Sequence, residues 1–433
     1  MMVIFMFFSM ILFFYMLNMY IYQFILILIL IIFMKFNFFS FFCSVSYFFG
    51  LDFYSFWMLF LTFFIFILMF LSFNFNNFIC FFFVGNFLLL SLLFVFYSMN
   101  MLFMYFFFEF SLIPMLMIIF GWGYQPERLI SGFYLFFYTL FSSLPLLIFM
   151  IWFYIENSLF FDLIFDLNLS FYINFCLLFS FLVKLPLFMF HFWLPKAHVQ
   201  APLFGSMVLA GLMLKLGGYG MIRFMYMFED LFYFYSYIWY SLSIYGSLLV
   251  SYICLIQSDL KFMIAYSSVS HMGMCILGLT TYLNYGFLGS YLMMVSHGFC
   301  SSGLFCLASF YYDFIYSRSF YILKGMMIYF PTLSLFWFFF CLINMSCPPS
   351  VNFLCELFIM MSMLSYSYIS LFLMFIIFFL VSCFNFYMYS YINHGSNYFS
   401  YSFNLGGLSI YFIVFFHIFY LFVFNFYFMF ILF

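Results

Sequence analysis

The stretch FYINFCLLFSFLVKLPLFMFHFWLPKAHV, residues 171–199, decides how the chain is read. It runs past the roughly 20 apolar residues that a spanning helix needs, yet it holds Lys184, Pro186 and Pro195. Proline removes a backbone donor and clashes with the preceding turn. In lipid, the backbone groups freed by such a break need protein or water partners. The spacing therefore predicts a spanning helix broken at Lys184-Leu185-Pro186 and held inside a larger bundle. Working outward, a second long apolar run, 325–364, carries Pro348-Pro349 in its middle. Paired breaks in two parts of a chain point to an inverted repeat with its site at the breaks. Here the breaks lie five predicted spans apart, which fits two five-helix units.

Composition supports a membrane reading over the whole length. Of the 433 residues 70% are hydrophobic and only 5% charged, whereas a soluble domain carries about 25% charged residues. A water-facing surface cannot be built from so few, so lipid is the implied solvent. With short connections, the length allows roughly 14 spans. We expect them near 1–16, 18–34, 53–72, 78–97, 101–120, 132–155 and 171–199. The others fall near 203–227, 231–256, 260–280, 285–312, 325–364, 365–391 and 408–432. The fold class is thus an all-α integral membrane protein of about 14 transmembrane helices, with two inverted five-helix repeats and broken helices 7 and 12. The division follows: 1–77 for the first three helices, 78–228 and 229–391 for the repeats, and 392–433 for the last loop and helix. Barrel strands alternate over about ten residues, which these runs do not, so strands are not expected.

Several function classes drop out. A formal net charge of −2 leaves no basic surface for nucleic acid. The apolar sequence from Met1 leads us to expect insertion without a cleaved presequence. The eleven cysteines form no CxxC pair and no Cys/His cluster, so they are read as small packing residues. No GxGxxG, P-loop or haem-attachment signature occurs. The heavy use of Phe, Tyr and Met is not demanded by lipid, and a biased nucleotide composition such as that of some organellar genomes explains it better. Arg128, Lys196, Lys261, Arg318 and Lys324 fall at one predicted face, Lys35 and Arg223 at the other. The first face is then expected inside, with both termini outside.

The chemistry lies in the few ionisable groups inside the spans. Glu109 is mid-span, Lys184 sits at the first break and Lys215 lies mid-span in Gly-Leu-Met-Leu-Lys-Leu-Gly-Gly, 211–218. Glu356 follows Pro348-Pro349 by about two turns, and His271 and His297 belong to spans ten and eleven. A charge at mid-membrane costs about 2.5–3.5 kcal/mol, so four would cost on the order of 10 kcal/mol unpaired. That rivals a domain's whole stability of about 5–15 kcal/mol. These groups must pair, neutralise or line water. Burial disfavours the charged form of either residue type, and an opposite charge favours it. A Glu109–Lys184 pair would hold both charged, and separating the two would release a proton. The plainer alternatives are a static ion pair for Glu109 and Lys184, snorkelling for Lys215, and interhelical hydrogen bonds for His271 and His297. His191 and His198, near the Pro195 turn, are expected to be structural or loop-facing.

At these residues the chain resembles the chain 4 family of mitochondrial NADH–ubiquinone oxidoreductase, respiratory complex I. The resemblance is carried by Phe108-Glu109-Phe110-Ser111-Leu112-Ile113-Pro114, followed by 121–128 (GWGYQPER). It continues through Lys184-Leu185-Pro186 with 191–199 (HFWLPKAHV), and through 214–220 (LKLGGYG). Further on it rests on Asp259-Leu260-Lys261 with 265–273 (AYSSVSHMG), on Ser296-His297-Gly298, and on Pro348-Pro349 leading to Glu356-Leu357. It covers roughly residues 105–360. Gln200, where many relatives carry Glu, and Cys355, where Gly is usual, depart from the pattern. The first tells against an essential carboxylate at 200, the second suggests tighter packing beside Glu356.

The resemblance implies an antiporter-like subunit of the membrane arm, multi-pass in the mitochondrial inner membrane. Its proton path would run over Glu109, Lys184, Lys215, His271, His297 and Glu356. Protons would come from the inner face toward Lys215, pass through buried water and His271 to Glu356, and leave on the outer face. Changes in the Glu109–Lys184 pair would drive the transfer. Moving one charge against the potential costs about 2.3 kcal/mol per 100 mV, and a hundredfold change in proton affinity is worth about 2.7 kcal/mol. No cofactor is expected in this chain; NADH, flavin, iron–sulfur clusters and ubiquinone would belong to partner subunits. Partners would be the other membrane-arm subunits, including antiporter-like chains 2 and 5, and the lipid bilayer. A stand-alone sodium/proton antiporter subunit and a purely structural spacer of the membrane arm are the alternatives.

Overall fold

The computed structural model describes residues 19–33, 44–45, 49–72, 78–156, 160–161, 163–165, 170–396 and 408–432. The expected first span, 1–16, and Lys35 lie outside them. In lipid every backbone polar group must be satisfied within the protein, and an apolar chain meets that demand by coiling into helices. These are α1 Met19–Phe33, α2 Phe53–Leu71, α3 Phe78–Tyr97, α4 Met101–Phe110, α5 Leu112–Trp122 and α6 Arg128–Glu156. The middle holds α7 Phe171–Lys184, α8 Trp193–Gln200, α9 Leu203–Val208, a π-helical turn Leu209–Met213, and α10 Leu214–Met227. Then come α11 Glu229–Ile256, α12 Leu260–Thr280, α13 Asn284–Ile315, α14 Met326–Tyr329, α15 Pro331–Asn344, α16 Val351–Tyr366, α17 Tyr368–Asn393 and α18 Leu408–Leu432.

Among the described residues nine helices are long and apolar enough to cross a membrane, and five shorter apolar ones accompany them. Three of the short ones belong to the predicted broken spans: α7, followed by the eight-residue α8, and α15 with α16. The expected span 101–120 is itself two helices joined at Ser111, because Pro114 has no N–H to offer the Phe110 carbonyl. Strands were not expected, yet Ser44–Val45 pairs antiparallel with Gly50–Leu51 in the loop before α2. That correction touches four residues and leaves the bundle unaffected.

The two breaks are built alike. Pro186 cannot donate to the Leu182 carbonyl, and Leu187 N–H takes it instead at 3.1 Å. The Val183 carbonyl, one residue on, accepts from the Trp193 indole at 2.9 Å. In the second break Cys347 N–H takes the Leu342 carbonyl at 3.1 Å, and the Asn352 amide donates to the Ile343 carbonyl at 2.9 Å. Each break therefore satisfies these two carbonyls within the protein, as an irregular segment in a membrane must.

Burial sorts the helices into centre and rim. The apolar windows of Leu203–Met227 and Asn284–Ile315 are buried throughout, while less than half of those of Arg128–Ile155 and Tyr368–Asn393 is buried. On α6 the exposed residues Phe133, Phe137, Phe141, Leu144, Ile148, Ile151 and Ile155 repeat at helical spacing and form a lipid- or partner-facing stripe. The polar run at 267–270 on α12 stays inside because its serines bond to their own helix: Ser267 to the Ile264 carbonyl, Ser268 to Ala265 and Ser270 to Ser267.

Candidate functional site

The first break carries an ion pair. Lys184 ends α7, and its Nζ lies 3.8 Å from Glu109 Oε1 in the last turn of α4. The same Nζ donates to the Phe108 carbonyl at 2.9 Å and sits over the Phe108 ring. Lys184 is 3% exposed and Glu109 17%. Both carboxylate oxygens of Glu109 are nevertheless buried and without a hydrogen bond, so the charged ends of both residues are enclosed. At 3.8 Å the pair is electrostatic rather than hydrogen-bonded, a looser arrangement than a locked bridge.

The second cluster is central. Lys215 opens α10, fully buried, directly after the π-helical turn. Its Nζ donates to the Ala210 carbonyl in that turn at 2.5 Å and lies 3.1 Å from His297 Nδ1. A π-turn widens the helix by one residue and is frequent at functional sites; here one of its carbonyls holds a lysine. His297 on α13 faces His271 on α12, the ring centroids 5.4 Å apart. Both ring nitrogens of His271 are buried without a protein partner. The break and the cluster adjoin through Gly217, where a Cβ would meet Leu185 N at 2.7 Å and Phe181 O at 2.8 Å. Only glycine lets α10 press against the broken end of α7.

Glu356 stands apart. It is buried on α16, and its Oε2 accepts from Ser346 Oγ at 2.5 Å. Ser346 sits in the second break with φ of 56°, the left-handed region that most side chains avoid. Between Glu356 and the histidines, Cys355 Sγ lies 3.9 Å from Ser296 Oγ, beside His297. The structure therefore joins Glu109 with Lys184, and Lys215 with His297 and His271. No direct contact links either group to Glu356 among the described residues.

Sequence reasoning missed two features. Arg223, expected at a membrane face, is buried and makes a two-pronged bridge with Asp52, at 2.5 and 2.7 Å, with Tyr219 OH 2.8 Å away. The two are distant in sequence, so no local signal pairs them, although the cost of a lone buried charge demands a partner for Arg223. Ser346 gave no sign of its backbone conformation. His191 and His198, expected to be structural or loop-facing, are both buried. His191 packs among Phe188, Phe192 and Tyr266. The expected face of Arg128, Lys196, Lys261, Arg318 and Lys324 is partly knit by contacts. Arg318 donates to the Val199 carbonyl at 2.9 Å, Lys261 to that of Ala201 at 3.4 Å, and Arg128 to that of Gly123 at 3.0 Å. Gln200 bonds Gln125 and Glu127 in this region, where a carboxylate would face another carboxylate. The ten described cysteines are free thiols, and no group of three or more His, Cys, Asp or Glu side chains suited to a metal occurs among the described residues.

Residues 98–385 match the family described as NADH:quinone oxidoreductase/Mrp antiporter, TM. The chain is 46% identical over 336 residues to NADH-ubiquinone oxidoreductase chain 4 of Ceratitis capitata, covering 76% of this chain and 75% of that one. It is 48% identical over 302 residues to the chain 4 protein of Aedes aegypti, covering 68% and 66%. It is 44% identical over 336 residues to that of Rhipicephalus sanguineus, covering 76% of each. Among solved structures, a chain of respiratory complex I from Thermus thermophilus with bound NADH superposes with a TM-score of 0.80 at 20% identity, covering 92% of this chain and 88% of that one. That last likeness bears on the fold alone.

Proposed function

Because this chain belongs to the NADH:quinone oxidoreductase/Mrp antiporter transmembrane family, alongside the chain 4 proteins of NADH-ubiquinone oxidoreductase, we propose that Glu109, Lys184, Lys215, His271, His297 and Glu356 carry protons through it. The chain is an antiporter-like, proton-translocating membrane subunit of NADH:ubiquinone oxidoreductase, and the enzyme is the complex. The observation that carries the residue-level reading is the occurrence of buried ionisable groups at helix irregularities: Lys184 against Glu109 at the first break, Lys215 against His297 at the π-turn, and Glu356 bonded to Ser346 of the second break. Intramembrane ionisable residues are functional by default.

In this reading Glu109 holds Lys184 protonated while the pair is close. Drawing Glu109 away leaves an enclosed ammonium without a counter-charge, and its proton moves on toward Lys215. His297 and His271 pass it along, and Glu356 receives it through water for release at the opposite face. The likeness of the two breaks supports five-helix repeats over 78–228 and 229–391, in which Leu182 corresponds to Leu342 and Val183 to Ile343. Nicotinamide, flavin, iron–sulfur and quinone chemistry then belongs to partner subunits, so the energy arrives mechanically or electrostatically through neighbours. Antiporter-like chains 2 and 5 are the neighbours we infer, and the mitochondrial inner membrane is the compartment.

The test is Lys184→Ala and Glu109→Ala in the assembled complex, reconstituted into vesicles. We expect protons pumped per electron to fall in both. Normal pumping in both would reduce this chain to a spacer.

A further inference from the structure

His198 is the feature that the path above leaves unused. It lies on α8, just past the first break, and is fully buried. Its ring stacks on Phe305 of α13, centroids 4.7 Å apart and planes 8° from parallel. That contact fixes the ring plane but satisfies neither nitrogen: both are buried without a protein hydrogen-bond partner. Buried polar groups are ordinarily bonded, and an exception calls for a cause. His417 keeps one nitrogen bonded, Nδ1 at 2.8 Å from the Ile413 carbonyl of its own helix, and leaves only Nε2 without a partner, whereas His198 leaves both.

The surroundings of His198 supply the cause. It lies within electrostatic reach of Lys215, His297 and Lys261, and its helix α8 ends at the Ala201 carbonyl that Lys261 bonds. Lys261 is buried too, held at the end of α8 by the Ala201 carbonyl and flanked by the rings of Tyr124 and Tyr312. Asp313 and Arg318 are its charged neighbours. Asp313 and Tyr124 also line a cavity of about 120 Å³ at the end of α13, room for several waters. Lys261 and His198 thus stand between a cavity with Asp313 and Tyr124 in its largely apolar wall and the central pair.

We propose that His198 is a proton relay joining Lys261 to the Lys215–His297 pair. One ring nitrogen of neutral His198 takes the proton given up at the Lys261 side, an N–H bond forming on the ring as the donor's breaks. The other nitrogen then releases its own proton toward His297 and Lys215, and the ring is neutral again in the alternate tautomer. Water carries the proton where the gaps exceed a hydrogen bond. Histidine suits this role because its two nitrogens can accept and donate in turn. The relay rests on the function proposed above, as the inlet to its Lys215.

The experiment compares His198→Phe, His198→Gln and Lys215→Met in the assembled complex in vesicles, reading proton translocation beside NADH oxidation. Phenylalanine keeps the stack on Phe305, and glutamine keeps polarity and size; neither can relay a proton as imidazole does. We expect both His198 variants to lose as much pumping as Lys215→Met. Loss with Lys215→Met but wild-type pumping with His198→Phe or His198→Gln overturns the relay and leaves the wider reading intact. Normal pumping in all three overturns both. Should neither His198 variant assemble, ordered water in an experimental map of the unaltered complex decides. Water bonded to both ring nitrogens and leading to Lys261 supports the relay; dry apolar walls around the ring overturn it.

Discussion

Lys215 Nζ and His297 Nδ1 meet at 3.1 Å between two stretches whose apolar windows are buried throughout. Two basic groups at that distance cannot both be protonated without strong repulsion. One proton shared between them is the stable arrangement, and an added proton must be handed onward. That makes the pair a switch in proton occupancy rather than a static contact. The Ala210 carbonyl on the other side of Nζ steadies the lysine in either case.

A proton carrier and a fixed charge are separated by substituting Lys215 in two ways. Arginine keeps the positive charge and does not release its proton in proteins; methionine removes the charge and keeps most of the stem. If Lys215 works by giving up a proton, both lose pumping to the same extent, although Lys215→Arg also overpacks a closed site at a cost of about 1–3 kcal/mol. Recovery of pumping in Lys215→Arg, measured per NADH oxidised in vesicles, would show that charge alone matters.

The Asp52–Arg223 bridge predicts a stability pattern. Arg223→Met strands a buried carboxylate and is expected to cost about 3–5 kcal/mol. Asp52→Asn together with Arg223→Met removes the stranded charge and should recover much of that loss. Thermal unfolding of the complex, or its abundance on native gels, reads the cycle. Additive losses in the double variant would mean the two residues do not act as a pair.

Much of the fold was legible because lipid leaves few options. Low charge implied membrane helices, and Pro186 and Pro348-Pro349 located both breaks to within a turn. The site was legible where cost forced a partner, as for Glu109 with Lys184. It was not legible where orientation decides. Most of the spanning helices are apolar on all sides, and α8 is only eight residues long, so no hydrophobic face says which way His198 or Arg223 points. For His198, near the Pro195 turn, a structural and a loop-facing place were equally open, and α8 carries it inward onto Phe305. Asp52 and Arg223 meet only through tertiary packing, and the left-handed backbone of Ser346 comes from the geometry of its break.

Ser346 predicts an order between two substitutions. Both Ser346→Ala and Ser346→Gly lose the hydroxyl that donates to Glu356, a loss of about 1.5–3 kcal/mol if the carboxylate is charged. Alanine must also adopt the left-handed conformation, which costs it roughly 1–2 kcal/mol more than glycine. Ser346→Gly should therefore be the more stable variant, while proton release through Glu356 slows in both. Thermal stability would rank them, and equal melting behaviour would contradict the backbone argument.

Gly217→Ala tests whether the first break must lie against α10. The added Cβ would meet backbone atoms, Leu185 N at 2.7 Å and Phe181 O at 2.8 Å, and backbone cannot swing aside as a side chain can. Either α10 retreats or the end of α7 does, and Lys184 is the residue that ends α7. Overpacking of this kind costs about 1–3 kcal/mol, so the variant should assemble at reduced levels. What assembles should also pump less per electron, because displacing Lys184 alters its 3.8 Å separation from Glu109. A loss of assembly with full pumping in the remaining complex would show that the contact serves packing alone. Reduced pumping at unchanged quinone reduction would tie the geometry of the break to proton transfer.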